Sequence, residues 1–189
     1  MKLYHKYFLE FLIGDEDNVE TVMNAAAGVV YKLDENDRRQ VLLIQRSATD
    51  HWPNFWEFPR GKCDKPIGES LLSCVKREVK EETGLIIKPV GLIDTFEYLA
   101  DEGTRKSICH NFLCEMDDPD QPIKLSKEHQ DYQWITEVGE AEMMLLPDQK
   151  KTIVKVLNRE RPIVNYPQND FTTNNKIEEY LQWLKNTTK

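Results

Sequence analysis

The stretch REVKEETG, residues 77–84, places three carboxylates, Glu78, Glu81 and Glu82, within five positions. Leu71, Val75 and Val79 recur at helical spacing, which predicts a helix from about Glu69 to Thr83 with Gly84 as its C-cap. At about 100° per residue, the three glutamates span roughly a third of the helix circumference. The apolar stripe overlaps the edge of that arc, so the carboxylates border the buried side rather than open water. Like charges at i, i+4 destabilise a helix, and partial burial raises the penalty. Arg77 can pair with Glu81 at i+4, but one cation does not balance three anions. A divalent cation does: Mg2+ and Mn2+ take hard oxygen ligands and share phosphate oxygens with a substrate. The alternative is a solvated acidic face, eased by Lys76 and Lys80.

Outward from this helix the chain alternates strand and turn signals. Residues 24–33 and 40–46 read as a hairpin around the turn DENDRR. HWPNFWEFP, 51–59, reads as an aromatic extended segment limited by Pro53 and Pro59. Strands follow at 88–99 and 107–116 around a polar turn, and a short one at 131–135. EVGEAEMMLL and DQKKTIVKVLN read as helices split at Pro147. The order strand–strand–strand–helix–strand–strand–strand–helix is not doubly wound. It predicts an α/β mixed sheet flanked by helices. The expected organisation is an N-terminal extension over 1–22, a domain over 23–160 and a tail over 161–189. That tail turns polar after Pro162 and ends in an amphipathic stretch with Ile177, Tyr180, Leu181 and Leu184 on one face, expected to dock as a helix.

Bulk properties exclude some classes. The 189 residues are 40% hydrophobic, enough for a core. No apolar run approaches the roughly 18 residues of a membrane span, and the first residues lack a signal-peptide pattern. No membrane partner and a cytoplasmic or nuclear location are therefore expected. A formal net charge of −8 argues against a long nucleic-acid groove, and only 149–162 is locally basic. An anionic substrate needs a metal or a few placed cations. Cys63, Cys74, Cys109 and Cys114 form no CxxC pair, so reduced thiols are expected, with Cys63 in a polar loop.

The segment FPRGKCDKPIGESLLSCVKREVKEETGL resembles the Nudix box, written Gly, five residues, Glu, seven residues, Arg-Glu-apolar-x-Glu-Glu-x-Gly-apolar. Glu69, Arg77, Glu78, Val79, Glu81, Glu82, Gly84 and Leu85 match position by position. One departure stands out: seven residues, KCDKPIG, separate Gly61 from Glu69, a two-residue insertion near Pro66. The resemblance implies a Nudix α/β/α sandwich that hydrolyses a nucleoside diphosphate linked to a further group, with Mg2+ or Mn2+ as cofactor. It implies Glu78 and Glu82 as metal ligands, Glu81 as a further ligand or base, and the carbonyl of Arg60 as another ligand. Arg77 would orient a box glutamate. Gly61, Glu69 and Gly84 would be structural, with Glu69 tying loop to helix.

A second stretch, IKLSKEHQDYQWI (123–135), resembles a segment of asymmetric diadenosine tetraphosphate hydrolases. It carries Leu125, Ser126, Glu128, His129, Gln130, Tyr132 and Trp134 in the recurring order. The resemblance implies that Glu128 reaches the metals as a catalytic residue. Tyr98, Phe96 and Trp56 are candidate base platforms, and Arg46, Lys62 and Lys106 candidate phosphate contacts. The expected substrate is a dinucleoside polyphosphate cleaved to ATP and AMP. RNA 5′ decapping, sanitation of oxidised nucleotides and a silent RNA- or protein-binding domain are the alternatives. Nothing in the residues speaks to oligomeric state.

Overall fold

The computed structural model describes residues 22–50, 52–63, 68–100, 105–139, 144–145 and 147–165. The expected N-terminal extension (residue 22 apart) and the amphipathic stretch of the tail lie outside the described residues. Among the described residues there are eight strands and two helices. They are β1 (Val22–Leu33), β2 (Arg39–Arg46), β3 (Trp56–Glu57), β4 (Arg60–Lys62), α1 (Leu71–Thr83), β5 (Ile87–Ala100), β6 (Arg105–Met116), β7 (His129–Ile135), α2 (Pro147–Leu157) and β8 (Val164–Asn165). Among the described residues no helix is long and apolar enough to cross a membrane.

The sheet is mixed, in the order β3-β2-β1-β6-β5-β8, with β4 on β1 and β7 on β2. Strand β1 runs parallel to β6 from Val22↔Lys106 to Tyr31↔Glu115. Its other edge is shared. Tyr31–Leu33 pairs with β2, whereas Ala25–Ala27 pairs with β4, both antiparallel. The sheet therefore forks along that edge.

The period-2 alternation of strands divides the core in two. Ala26, Val30, Leu42, Ile44 and Phe112 pack with Val75 and Val79 of α1. Ala25, Ala27, Val29, Leu43 and Leu113 pack with Ile153 and Val156 of α2. A helix on each face gives the expected α/β/α sandwich. A side chain at Gly28 would collide with Val79, so the glycine lets α1 lie close on the sheet.

Three local expectations are corrected. Segment 51–59 is not extended throughout: Trp52 and Asn54 have φ of 61° and 64°, and only Trp56–Glu57 is strand. The turn closes a hairpin, with Arg46 N–H donating to Phe55 O (2.9 Å) and Asn54 N–H to Arg46 O (3.2 Å). The helix expected over 137–146 is absent among its described residues. Instead the Trp56 N–H donates to Met144 O (3.1 Å), and α2 starts at Pro147, where a missing N–H costs the helix nothing. Finally, Cys63 and Cys74 are bridged as a disulfide with Cα atoms 5.3 Å apart, and Cys63 is buried. Loop and helix meet in space although the sequence offers no paired-cysteine motif.

Candidate active site

Helix α1 is anchored at both ends. Ser70 caps its start by accepting from the Ser73 N–H (3.1 Å), and Gly84 ends it in the left-handed region at φ 75°. Leu71, Cys74, Val75, Val79 and Thr83 face the sheet. That register splits the glutamates. The Glu78 side chain is 12% exposed and that of Glu81 60%. Glu82 is half-buried.

Strand β4 brings the preceding loop onto these carboxylates. The Arg60 N–H donates to Glu82 Oε2 at 2.9 Å. Gly61 lies directly under Glu78, and a Cβ there would fall into its carboxylate. Arg77 then knits loop and helix together. Its guanidinium donates to both oxygens of Glu69 (2.8 Å each), to Glu78 (2.7 Å), to Glu81 (3.1 Å) and to Lys62 O (3.1 Å). The single i+4 partner expected from sequence is thus one of four. Glu69 is the bidentate anchor that fixes the arginine plane.

The electrostatics favour a further positive partner. Burial raises the Glu78 pKa above its usual range. Burial also raises Glu82 well above it, reinforced by the charges of Glu57 and Glu78. Two carboxylates whose ionisation burial disfavours are held against β4, Glu82 by the Arg60 N–H and Glu78 over Gly61. The Glu78 carboxylate takes up the space that a side chain at position 61 would need, and hard oxygen donors of this kind suit a small divalent cation, which replaces the missing proton. In this arrangement Glu78 and Glu81 are drawn onto Arg77. Among the described residues no three acidic, histidine or cysteine side chains are already gathered around one point.

Beside the glutamates lies a second cluster that sequence reasoning missed. Glu57, only 4% exposed, accepts from Arg46 (2.6 Å) and from Arg60 Nε (2.8 Å). His129 Nε2 stands 3.7 Å from the same carboxylate. Burial would raise Glu57, but the Arg60 charge, with His129 and Arg46, overrides it and brings the pKa down to about 2. Arg60 stacks over Tyr98 at 5.5 Å, and its Nη1 is buried without a hydrogen-bond partner. The available signal was a charged residue inside the aromatic run FWEFP. An acid at such a site is kept only with a paired cation.

The candidate substrate residues separate accordingly. Arg46 joins this cluster and also pairs with Asp50 (2.7 Å). Tyr98 is half-buried beneath Arg60, with Phe96 5.8 Å from its ring. Trp56 is 7% exposed and packs in the core under α2, so its ring serves the fold. Lys62 is exposed at the end of β4, whereas Lys106 pairs with Glu97 (2.6 Å) on the β5–β6 hairpin. Glu128 is exposed on a loop tethered to the end of α1. Lys124 N–H donates to Thr83 O (2.8 Å) and Ser126 N–H to Glu82 O (2.9 Å), while Ser126 Oγ contacts His129 Nδ1 (3.2 Å).

A family model described as the NUDIX domain matches residues 23–156. The mouse asymmetrical bis(5′-nucleosyl)-tetraphosphatase is 33% identical over 105 residues, covering 53% of this chain and 67% of that protein. The 8-oxo-dGTP diphosphatase of Escherichia coli is 30% identical over 76 residues, covering 40% of this chain and 54% of that protein. Among solved structures, a C. elegans Ap4A hydrolase in a binary complex superposes with a TM-score of 0.59 at 25% identity. It covers 71% of this chain and 94% of its own.

Proposed function

The chain belongs to the Nudix family and is a Nudix hydrolase, and from that premise we propose that it is a metal-dependent pyrophosphohydrolase of dinucleoside polyphosphates. Diadenosine tetraphosphate is the preferred substrate, cleaved asymmetrically to ATP and AMP. The observation that supports the substrate is the tether of the Glu128 loop to Glu82, because it brings the stretch that resembles tetraphosphatase sequences onto the box helix. The similarity to the mouse and nematode enzymes supports the same reading.

In this reading Glu78, Glu82 and the Arg60 carbonyl hold Mg2+ or Mn2+, with Glu81 as a further ligand or the general base. When bound, the cation supplies Lewis-acid polarisation of the pyrophosphate and lowers the pKa of water. The chain's own residues do the positioning. The Arg60 N–H fixes one Glu82 oxygen. Arg77 holds Glu78 and Glu81 on one edge. Glu128 enters from outside the helix and reaches the metals as a catalytic residue. Lys62 and Arg46 receive the phosphate chain, and Tyr98, steadied by Arg60, receives one base by stacking.

The test is a nucleotide panel with Mg2+ or Mn2+, products resolved by chromatography. Diadenosine tetraphosphate should give ATP and AMP, with turnover only weakly dependent on salt. A capped RNA would run its backbone over the surface, and its binding would fall steeply with salt. Faster cleavage of capped or triphosphorylated RNA, lost at high salt, would overturn the substrate and direct attention to Lys150–Arg161. Preferred hydrolysis of 8-oxo-dGTP would favour sanitation, the activity named for the E. coli relative.

A further inference from the structure

Two cysteines sit under the joint between the Gly61 loop and the glutamate helix. Cys63 directly follows β4, and Cys74 lies in the first half of α1. Their Cα atoms are 5.3 Å apart, within the roughly 4.4–6.8 Å range that a disulfide spans without backbone movement. Both side chains are buried, Cys63 at 6% exposure and Cys74 at 0%.

The surroundings of the sulfurs give the pair its interest. Cys74 Sγ lies 3.9 Å from Gly61 O and 4.0 Å from Arg77 Nη2. The same Arg77 nitrogen donates to Lys62 O and to Glu69. A covalent link at this point therefore fixes the carbonyl edge of β4 against Arg77 and Glu78. The chain also needs such a link more than the family pattern does. Between Gly61 and Glu69 it carries two extra residues, and a longer connection constrains its ends less. The bridge bypasses that segment, joining positions 11 apart. Cys109 and Cys114 do not compete for it. Both are fully buried free thiols in the sheet, and burial pushes the Cys109 thiol up to about 11.

We propose that Cys63 and Cys74 form a redox-responsive staple that holds the Gly61 loop on the glutamate helix, so that the oxidised protein binds its divalent cation more tightly than the dithiol form. This rests on the metal site of the proposed function. The oxidant is a peroxide. The Cys63 thiol, which keeps some exposure, attacks the O–O bond and becomes a sulfenic acid with release of water. The Cys74 thiol then displaces a second water as the S–S bond forms. Two electrons leave the sulfurs and reduce hydrogen peroxide to two waters. A dithiol reductant reverses the step by thiol–disulfide exchange.

The experiment uses the full chain, oxidised with hydrogen peroxide or reduced with dithiothreitol and then desalted anaerobically. Maleimide labelling read by peptide mass reports the bridge. Mn2+ titration followed by electron paramagnetic resonance reports the site without turnover. Peroxide should protect Cys63 and Cys74 from label, and reduction should weaken Mn2+ binding by roughly three- to tenfold as the loop loses preorganisation. Cys63→Ala and Cys74→Ala should behave as the reduced form under both conditions, and if either fails to fold, the wild-type comparison stands alone. Equal Mn2+ affinity with the bridge made and broken overturns the staple. Labelling of both cysteines after peroxide overturns it as well. Absence of Mn2+ binding in either form overturns the cation site itself, and the staple's role with it, whatever the labelling shows.

Discussion

The Arg60 backbone N–H donates to Glu82 Oε2 at 2.9 Å, although the two residues are 22 apart in sequence. This bond joins β4 to the last turn of α1 and aims a carboxylate that burial keeps reluctant to ionise. Glu82→Gln retains an acceptor for the Arg60 amide but removes the anion. Turnover should drop roughly a hundredfold or more, as chelation by EDTA should also cause, while the fold persists. The pH dependence gives a second check. A carboxyl whose folded pKa is raised binds its proton more tightly in the native state. Its contribution is full below the ordinary 4.5 and is lost as pH rises through the folded value. With EDTA present, thermal melts of Glu82→Gln should therefore fall less over that rising limb than those of wild type. Equal slopes would mean Glu82 titrates normally.

Glu57 has the opposite sign. Its pKa is depressed to about 2, so its ion pairs stabilise the native state fully above 4.5 and are lost as pH falls from there through about 2. Glu57→Gln would leave Arg46 and Arg60 with an uncharged partner in a buried place. It should cost on the order of 3 kcal/mol at neutral pH and flatten the acid limb of stability. Denaturant unfolding across the acid range measures both. An unchanged neutral-pH stability would show that the two arginines find other partners.

Gly61→Ala separates site from scaffold. The added methyl group meets the Glu78 carboxylate, the far end of a flexible side chain, rather than backbone. Glu78 can swing away, so stability should stay within about 1 kcal/mol of wild type. Cation binding and turnover should both fall, because the swing takes the carboxylate away from Gly61 of β4. Paired melting and Mn2+ titration decide it: a large loss of stability would mean the strand itself has moved.

Glu128→Gln tests the loop held by Ser126 on Glu82. Reaching the metals and acting on the transition state, Glu128 should affect kcat more than KM. A neutral effect on both would make it a solvated loop residue and remove the main support for a dinucleotide substrate.

The box helix was legible because periodicity, cap and charge all point one way. Leu71, Val75 and Val79 select the buried face, Gly84 ends the helix, and the matched glutamates name the chemistry. The strands were legible for the same reason, since alternation records which side of a sheet meets a helix. What sequence spacing could not reach were contacts between segments remote in the chain. The fork of β1 between β2 and β4, the pairing of β1 with β6, the meeting of Arg46, Glu57, Arg60 and His129, and the Cys63–Cys74 bridge all depend on how the sheet closes. A buried acid such as Glu57 is tolerable only with its cations in place, and Arg46 and Arg60 come from two separate strands. The sequence by itself therefore determined the helix, its carboxylates and the family. The tertiary structure decided which carboxylate is held ready and which is neutralised, because desolvation and pairing are properties of position in space, not of order along the chain.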